Sequence, residues 1–554
     1  MKGNNKLTIK GVFDDLLEMA KGIDLKLLIL LLLLLNVKMA VKVIAIIVLY
    51  FLRPNFKFGF TIKNSRLPLF YIIAIAIALF NLIIDSLFTN INYDLVFITG
   101  ISFWALSILA IHQIKLSIEK NDPSVIHRTL LIFFIINIIV SLTVYALIVW
   151  ETRSFNPFEY QGEFQKYFIS TGDYIKGVTF DTSTTNAIIS ALGVFYFLSR
   201  KNITYCLLCM LVLLLTGSNV TNLLFCVALI YTFIFQSTKD QKSILVICGM
   251  MLVIFLAKIS PENKNYLSDT YNNYFKKDTT VVVKRISPDL IQANIILTQD
   301  AIKQKIAKDY LDSIHQLSQS KHRNKIIGNI DPVFVSQITG KPQIPVPNIN
   351  LPPFQHKYDT TKMQVILLNY IKENKNSLPL SSSDTSLQHP GKLIAIEQTI
   401  HFLQRDPLKI LTGNGIGNFS SKLSFRSTAM DLAGGYPKKF AYINKDFEIN
   451  HFDLYLYFFS KTANVHSLAN MPNSVYDQLL SEYGLLGLVS FFIFYIGFFT
   501  KHYKNLNYGI PILLIMIGVF LIDYWFEQLS VVLVFEVLLL LNIRETKSAP
   551  VTEQ

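Results

Sequence analysis

Long apolar stretches separated by short polar connections dominate the hydropathy pattern of this chain. About twelve of them come near the roughly 20 residues that a helix needs to cross a hydrocarbon core. They lie near residues 24–37, 38–53, 67–86, 92–115, 128–150, 182–199, 202–217, 219–237, 243–258, 484–500, 508–525 and 527–543. The pattern predicts an all-α, polytopic membrane protein with about twelve transmembrane helices rather than a soluble protein.

One connection is unlike the others, because residues 259–473 form a polar region of about 215 residues, too long for a plain loop. Within it, apolar residues recur at helical spacing over 290–317 and 361–373. Prolines scattered over 332–353 predict an extended strap between these two helices. A third helix is predicted from about Lys392 to Gln404, so the region is expected to be a mainly helical domain.

The chain therefore divides into four predicted parts. Residues 1–258 carry the first nine spans, and residues 259–473 form the loop domain, with an insertion near 286–389. Residues 474–543 carry the last three spans, and residues 544–554 form a tail.

Basic residues recur in every second connection between the apolar stretches. Lysine and arginine collect in cytoplasmic loops, so this alternation predicts cytoplasmic N- and C-termini and an extracytoplasmic loop domain. The same rule accounts for the net charge of +13 without a nucleic-acid partner. The basic positions are Arg53, Lys57, Lys63, Arg66, Lys115, Lys120, Arg128, Arg200, Lys201, Lys239, Lys242, Lys501, Lys504, Arg544 and Lys547.

The cysteines and the N-terminus add little chemistry. All four cysteines lie in apolar segments, including the Cys206 and Cys209 pair, so neither a disulfide nor a metal site is predicted. The basic segment MKGNNKLTIK precedes the first apolar run, and no small-residue cleavage site follows, which predicts an uncleaved first span.

A glycine-rich segment, LTGNGIGNFSSK, places Gly413, Gly415 and Gly417 at every second position. Phosphate loops of ATPases require GxxxxGK[ST], and dinucleotide folds require GxGxxG in a βαβ unit, so neither pattern fits. The segment is expected to be a tight turn that needs positive φ. Whether its N–H groups also contact a phosphate stays open.

A second segment, NMPNSVYDQLLSEYGLLGLVSFF, leads into the tenth apolar stretch. Asn473 or Ser474 is a suitable helix N-cap. A helix from Asn473 to Thr500 is roughly 42 Å long, so its first turns are expected to stand above the membrane. Free N–H groups at its start favour an anion such as a lipid-linked phosphate, and the alternative is an interfacial anchor.

These two segments together resemble the O-antigen ligase and O-antigen polymerase family. The segment FDTSTTNAIISALGVFYFL is similar to the Asn-x-x-Ala entry of that family into a middle span, and LLLTGSNVTNLL is similar to its Thr-Gly-Ser-Arg stretch. Nine predicted spans before one large loop and three after it also match the ligase layout. The resemblance covers most of the membrane part and residues 390–499, but not 286–389.

The resemblance implies a metal-independent glycosyltransferase of the bacterial inner membrane, with its large loop in the periplasm. Such an enzyme polymerises or ligates undecaprenyl-pyrophosphate-linked oligosaccharide for O-antigen, lipopolysaccharide or exopolysaccharide biosynthesis. Its expected partners are the lipid-linked glycan donor, a glycan or lipid A-core acceptor, the lipid bilayer and, as a further expectation, a chain-length regulator or another assembly protein. No nucleotide, metal or other cofactor is expected.

Site residues follow from the same resemblance, which implies cations for the pyrophosphate and a loop histidine as base. The expected catalytic residues are His466 as base, Arg285 as a pyrophosphate ligand and Glu482 as a residue that orients the base or the acceptor. His451 is the alternative base. The expected substrate-binding residues are Lys392, Arg405, Gly413, Gly415, Gly417, Asn473 and Ser474.

Two departures from the family pattern leave other classes open. The chain has Asn473–Ser474 where the family often has His-Asn, and Ser218–Asn219 where the family has Ser-Arg. A non-catalytic assembly partner is therefore one alternative, and a polysaccharide flippase or secondary transporter is another. Asp523, Glu527 and Glu536 lie in or beside the last two apolar stretches, and a charge such as Glu536 within a span is the feature that favours transport.

Overall fold

The computed structural model describes residues 22–36, 38–85, 90–153, 155–159, 171–260, 390–405, 407–428, 435–451, 454, 468 and 470–548. All regular elements within these ranges are helices, and the described residues contain no strand. The predicted helices at 290–317 and 361–373, the strap at 332–353 and the insertion near 286–389 lie outside the described residues.

Four described helices are long and apolar enough to cross a membrane. These are α4 (Ile91–Lys120), α5 (Pro123–Thr152), α9 (Lys239–Ile259) and α14 (Val475–Thr500). Shorter apolar helices are α1 (Leu25–Leu34), α2 (Met39–Leu52), α3 (Phe70–Ile84), α6 (Ser183–Ser199), α7 (Ile203–Leu215), α8 (Asn219–Phe235) and α15 (Gly509–Val519). The last long helix is α17 (Ser530–Ser548). Each predicted apolar stretch overlaps with one of these helices, and the number that spans a membrane stays a prediction.

Short helices make up the described part of the polar region and the last connection. They are α10 (Gly391–Leu403), α11 (Pro407–Thr412), α12 (Lys422–Ser427), α13 (Lys445–Asn450) and α16 (Trp525–Gln528). The helix predicted from Lys392 to Gln404 is confirmed as α10. Helix α15 ends at Val519 and α17 begins at Ser530, so Asp523 and Glu527 lie outside both helices, in the connection between them.

Local capping explains where several helices begin. The Asp24 side chain accepts hydrogen bonds from the first turn of α1, Asn90 does the same for α4, and Thr182 for α6. Thr238 opens α9 with a capping box that pairs it with Gln241. These side chains satisfy N–H groups that have no partner inside the helix, which fixes the helix ends in the sequence.

Helices α6 and α17 form the centre of the bundle, where apolar side chains are buried on every side. Helix α17 packs against α4, α6 and α15. The peripheral helices keep large apolar side chains exposed, such as Ile47 and Phe51 of α2 and Leu223 and Ile230 of α8. A bundle that is apolar both inside and outside is typical of a membrane protein.

The helix ends form two groups. At one end, which we call the glycine-loop end, Tyr93 Oη donates to the carbonyl of Ile416 at 3.1 Å, and Lys42 Nζ donates to the carbonyl of Gln528. At the other, the C-terminal end, Glu545 contacts Arg200 at 3.3 Å. This grouping agrees with the alternation of basic and non-basic connections, and which end faces outwards stays a prediction.

The helix predicted from Asn473 to Thr500 is not continuous, and in this respect the prediction was wrong. Gly484 interrupts it with φ 65° and ψ −166°. A π-helical turn follows at Phe492–Ile496. The first part of α14, up to Tyr483, is therefore a separate helical segment. The backbone of Leu411 and Thr412 packs on Gly484, where this segment ends.

Candidate functional site

The glycine-rich segment packs directly on the break in α14. Gly413 has φ 78°, and a Cβ there would lie 2.3 Å from the carbonyl carbon of Glu482. Gly484 has φ 65°, and a Cβ there would lie 2.3 Å from the carbonyl oxygen of Leu411. Two backbones approach each other more closely than any side chain allows. The two segments that carried the family resemblance are therefore one structural unit.

Backbone hydrogen bonds hold this unit together. The N–H of Asn414 donates to the carbonyl of Ser481 at 2.8 Å, and the N–H of Gly415 donates to the carbonyl of Glu482 at 3.0 Å. The N–H of Gly413 donates to the carbonyl of Lys409 at 2.8 Å. The predicted turn with positive φ is confirmed at all three glycines. The N–H groups of Gly413 and Gly415 are taken by protein carbonyls and do not face a phosphate.

Glu482 lies beneath the loop rather than on an open surface. Its side chain is fully buried, and Oε1 accepts a hydrogen bond from the N–H of Phe419 at 3.2 Å. The Ser421 side chain and the backbone of Gly417 and Asn418 also hydrogen-bond to this carboxyl group. The structure thus places Glu482 where it shapes the loop, and it does not bring this carboxylate to a position from which it orients an acceptor.

Lys392, Asn473 and Ser474 meet at the start of α14. Lys392 Nζ donates to the carbonyl of Asn473 and, at 3.0 Å, to the carbonyl of Ile522. Asn473 Nδ2 donates to Asp523 Oδ1 at 2.9 Å. Three predicted substrate ligands therefore lie together, but they bind the connection between α15 and α17.

The start of α14 is also less open to an anion than predicted. The N–H of Val475 donates to the carbonyl of Phe520 at 2.9 Å, and Ser474 Oγ donates to the same carbonyl at 3.4 Å. Burial lowers the pKa of Lys392 to about 8, although Asp523 and Asp477 oppose this shift. Lys392 thus acts as a clamp between α10, α14 and the last connection.

Two cations that face the last connection come from α12. Lys422 and Arg426 are four residues apart, so their side chains leave the same face of this helix. Lys422 Nζ lies 3.7 Å from Asp523 Oδ2, and the positive charges of both residues act on Glu527. Glu527 in turn accepts a hydrogen bond from Gln478 Nε2 at 2.5 Å.

Sequence reasoning missed part of this polar cluster. Lys42 interrupts the apolar stretch at 38–53, and that interruption was the available signal for a buried charge. Its ammonium group reaches the carbonyl of Gln528, across 486 positions in the sequence. Lys422 and Gln478 carried no local signal, because only the fold brings them to Asp523 and Glu527.

Arg405 and His451 lie apart from this cluster. Arg405 follows the last turn of α10, roughly 20 Å along the helix from Lys392, and its guanidinium donates to Asn450 Oδ1 at 3.1 Å. His451 is fully buried, contacts Gln398 Oε1 at 2.9 Å and stacks on Phe419. Burial lowers the pKa of His451 to about 3, so it is neutral and packed rather than accessible to an acceptor.

The other two expected catalytic residues, Arg285 and His466, lie outside the described residues, and their roles stay predictions. In the part of the chain that the structure describes, no group of three or more His, Cys, Asp or Glu is arranged to hold a metal ion. The chemistry available at the described site is that of amines, a guanidinium, carboxyl groups and amides.

Comparisons of the chain with models of protein families, with curated proteins and with solved structures found no match. The similarity of its motifs to those of O-antigen ligases and polymerases therefore stays a prediction. The glycine loop, the break in α14 and the polar cluster beside them are the features that bear on the function of this site.

Proposed function

We propose that this protein is an integral-membrane glycosyltransferase that polymerises or ligates oligosaccharide carried on undecaprenyl pyrophosphate. The observation that carries the proposal is the pair of cations Lys422 and Arg426 on one face of α12. This pair lies beside the acidic connection that contains Asp523 and Glu527, next to the glycine loop. Fixed cations beside carboxyl groups suit a reaction in which pyrophosphate leaves and a hydroxyl loses its proton.

The proposed reaction joins a sugar hydroxyl of the acceptor to the anomeric carbon of the donor glycan. The bond between that carbon and the pyrophosphate oxygen breaks, and its electron pair leaves with the lipid pyrophosphate. An arginine offers two parallel N–H donors to a phosphate, and a lysine offers a compact charge. Arg426 and Lys422 are suited to these tasks, whereas Arg405 is remote and Lys392 is held by two carbonyls.

The predicted sidedness fits this proposal. The short connections at the glycine-loop end have few basic residues, so this end would face the periplasm, where lipid-linked glycans are assembled. The C-terminal end, with Arg53, Arg200 and the C-terminal helix α17, would face the cytoplasm. The protein would then be a multi-pass protein of the bacterial inner membrane, with O-antigen or another surface polysaccharide as its product.

Gene deletion in the native bacterium tests the proposal. Surface glycans separated on a gel should lose chain attachment while lipid-linked polymer is retained if the protein is a ligase. They should shrink to single repeat units if it is a polymerase. Unaltered glycans after deletion would contradict the proposal for both reactions.

A matched pair of arginine variants tests the cations in the same strain. Arg426→Gln should fail to restore the glycan pattern, because removing a guanidinium from the leaving group costs transition-state stabilisation of roughly 3 kcal/mol, or about a hundredfold in rate. Arg405→Gln, at the far end of α10, should restore it. Equal restoration by both variants would remove Arg426 from the mechanism.

A secondary transporter is the second candidate, and Glu536 is the observation that favours it. This carboxyl is buried within α17 and accepts hydrogen bonds from Tyr71 and, at 3.2 Å, from Tyr495. Ionisable groups inside membrane bundles often belong to ion pathways. A flippase defect would leave lipid-linked units on the cytoplasmic face of the membrane, whereas a transferase defect would leave them on the periplasmic face. A lectin added to intact spheroplasts reaches only the periplasmic face, so its binding distinguishes the two defects.

A further inference from the structure

A narrow cavity lies beside the two cations, between α4, α14 and α16. Trp104, Tyr483 and Phe526 form its apolar wall, and Gln478 and Glu527 supply polar atoms. The volume open to the centre of a water molecule is about 10 Å³, which is room for one water or one hydroxyl group. The cavity therefore matches a single functional group rather than a whole ligand.

The polar atoms in this cavity are held in place, but not all of them form a hydrogen bond with another described residue. Gln478 is buried and donates from Nε2 to Glu527 Oε1 at 2.5 Å, which holds the carboxyl group in place. Among the described residues, Gln478 Oε1 has no hydrogen-bond partner. A buried amide oxygen without a partner is costly, so it indicates a donor that arrives with a ligand.

The apolar wall is equally well fixed. Trp104 Nε1 donates to the hydroxyl of Tyr483 at 2.6 Å, and the rings of Trp104 and Phe526 lie 5.2 Å apart. All three rings are buried, so they hold the shape of the cavity beside the carboxyl and amide groups and do not offer a face to a sugar ring.

We propose that this cavity receives the attacking hydroxyl group of the acceptor sugar and that Glu527 is the general base that removes its proton. This inference rests on the proposed glycosyltransferase function and adds the acceptor subsite to it. The hydroxyl lies between the Glu527 carboxyl group and the amide oxygen of Gln478 that has no partner among the described residues, so both oxygens are acceptors for its single proton. Glu527 is thereby assigned as a catalytic residue and Gln478 as the residue that positions it.

The step balances without a further reactant. The hydroxyl proton passes to the Glu527 carboxylate as the hydroxyl oxygen forms its bond to the anomeric carbon of the donor. The bond from that carbon to pyrophosphate breaks, and the leaving pyrophosphate carries away the electron pair beside Lys422 and Arg426. The protonated Glu527 then returns its proton to water after the product leaves.

The surroundings of Glu527 suit a base. Burial, followed by the charge of Glu482, raises the pKa of Glu527 to about 8, while Arg426 and Lys422 oppose the shift and Asp523 adds to it. Tyr483 and Tyr436 are the other titratable groups whose interactions reach it. A base whose pKa lies near the working pH is the most effective, because it is both available and strong enough.

The test measures glycan transfer in membranes of the deletion strain, which hold its own accumulated lipid-linked donor. Glu527→Gln keeps the size of the side chain and an oxygen for the Gln478 bond but cannot take a proton. It should lower transfer by about a hundredfold or more. The control Glu397→Gln changes an exposed glutamate of α10 and should leave transfer unchanged.

The outcomes separate this inference from the proposed function. If wild type restores transfer and Glu527→Gln does so equally, Glu527 is not the base although the enzyme is a transferase. If deletion leaves glycans unaltered, the proposed function itself fails.

If Glu527→Gln does not insert, the pH dependence of transfer by wild type and Glu527→Asp decides. If Glu527 is the base, the transfer rate falls as pH falls, and the pH of this fall differs between the wild type and the Asp variant. Identical pH–rate profiles of the two proteins would overturn the inference.

Discussion

The two ends of the helical bundle use similar charged residues in opposite ways. At the C-terminal end, one carboxylate, Glu545, contacts His127, lies 3.3 Å from Arg200 and accepts a hydrogen bond from Tyr508 at 3.1 Å. At the glycine-loop end, four carboxyl groups lie near Lys392, Lys422 and Arg426, and some buried polar atoms have no hydrogen-bond partner among the described residues. The four are Asp477, Glu482, Asp523 and Glu527.

The difference supports the proposal that the glycine-loop end, and not the C-terminal end, binds the ligand. A carboxylate with three partners gains little from any further contact, although Asn542 Nδ2 at the same end has no hydrogen-bond partner among the described residues. The amide oxygen of Gln478 has no partner among the described residues and costs desolvation energy that their contacts do not recover. Such costs persist mainly where function requires them.

The largest effect is expected where the two backbones meet, at the glycine-loop end. Gly413→Ala or Gly484→Ala places a Cβ 2.3 Å from main-chain atoms at positive φ, and backbone cannot move aside as a side chain can. We expect a loss of about 2–5 kcal/mol in the free energy of unfolding, measured from unfolding in lipid nanodiscs.

Gly249→Ala is the matched control, because a Cβ at Gly249 meets no atom within 4 Å. It lies inside α9, where alanine is the better helix former, so its stability should stay the same or rise by up to about 1 kcal/mol. If Gly249→Ala lost as much unfolding free energy as Gly413→Ala, the close backbone contact at Gly413 would not be the cause of the loss.

The sequence predicted those features of the structure that depend on residues close together in the chain. Apolar periodicity located the helices, and the spacing of Gly413, Gly415 and Gly417 predicted a turn with positive φ. The segments with Gly413 and Gly484 were singled out together, and the structure packs one on the other. In each case the information lies within a short stretch, where backbone geometry decides.

The sequence did not predict how distant side chains meet. Glu482 was expected to orient the base or the acceptor, and the structure buries its side chain, with Oε1 accepting a hydrogen bond from the N–H of Phe419. Lys392 was expected to bind phosphate, but two carbonyl groups from remote segments occupy its ammonium group. Glu527 was noted only as a charge near a span, because its partner Gln478 comes from another helix. Such contacts depend on packing that no local pattern encodes.

The second prediction concerns the buried cation that clamps the glycine-loop end. The pKa of Lys392 is lowered from 10.5 to about 8 by burial, so between these values the folded protein binds fewer protons than the unfolded chain. The free energy of unfolding should therefore rise as pH increases from about 8 to 10.5, by up to about 3 kcal/mol. Lys392→Met should reduce this rise, in unfolding measurements over that range, by the part that Lys392 contributes.

The exposed Lys439 provides the control for this pH dependence. Lys439→Met should keep the rise seen in the wild type, because its ammonium group is not enclosed by the bundle. If Lys392→Met shows the same pH dependence of the free energy of unfolding as the wild type, another group causes it. Burying the charged form of Lys392 would then cost no stability.

The smallest effect is expected at the C-terminal end. Glu545→Gln removes one charge from contacts with His127 and Arg200, and the Arg200 side chain is 46% exposed, so water and salt already weaken that pair. We expect a loss of about 1 kcal/mol in the free energy of unfolding, reduced further at high salt, and no change in glycan transfer. Glu527→Gln should show the reverse, with transfer lost and stability nearly kept. If Glu545→Gln also abolished transfer while the protein still inserted, the two ends would be coupled through α17, and the separation between a closed end and a reactive end would not hold.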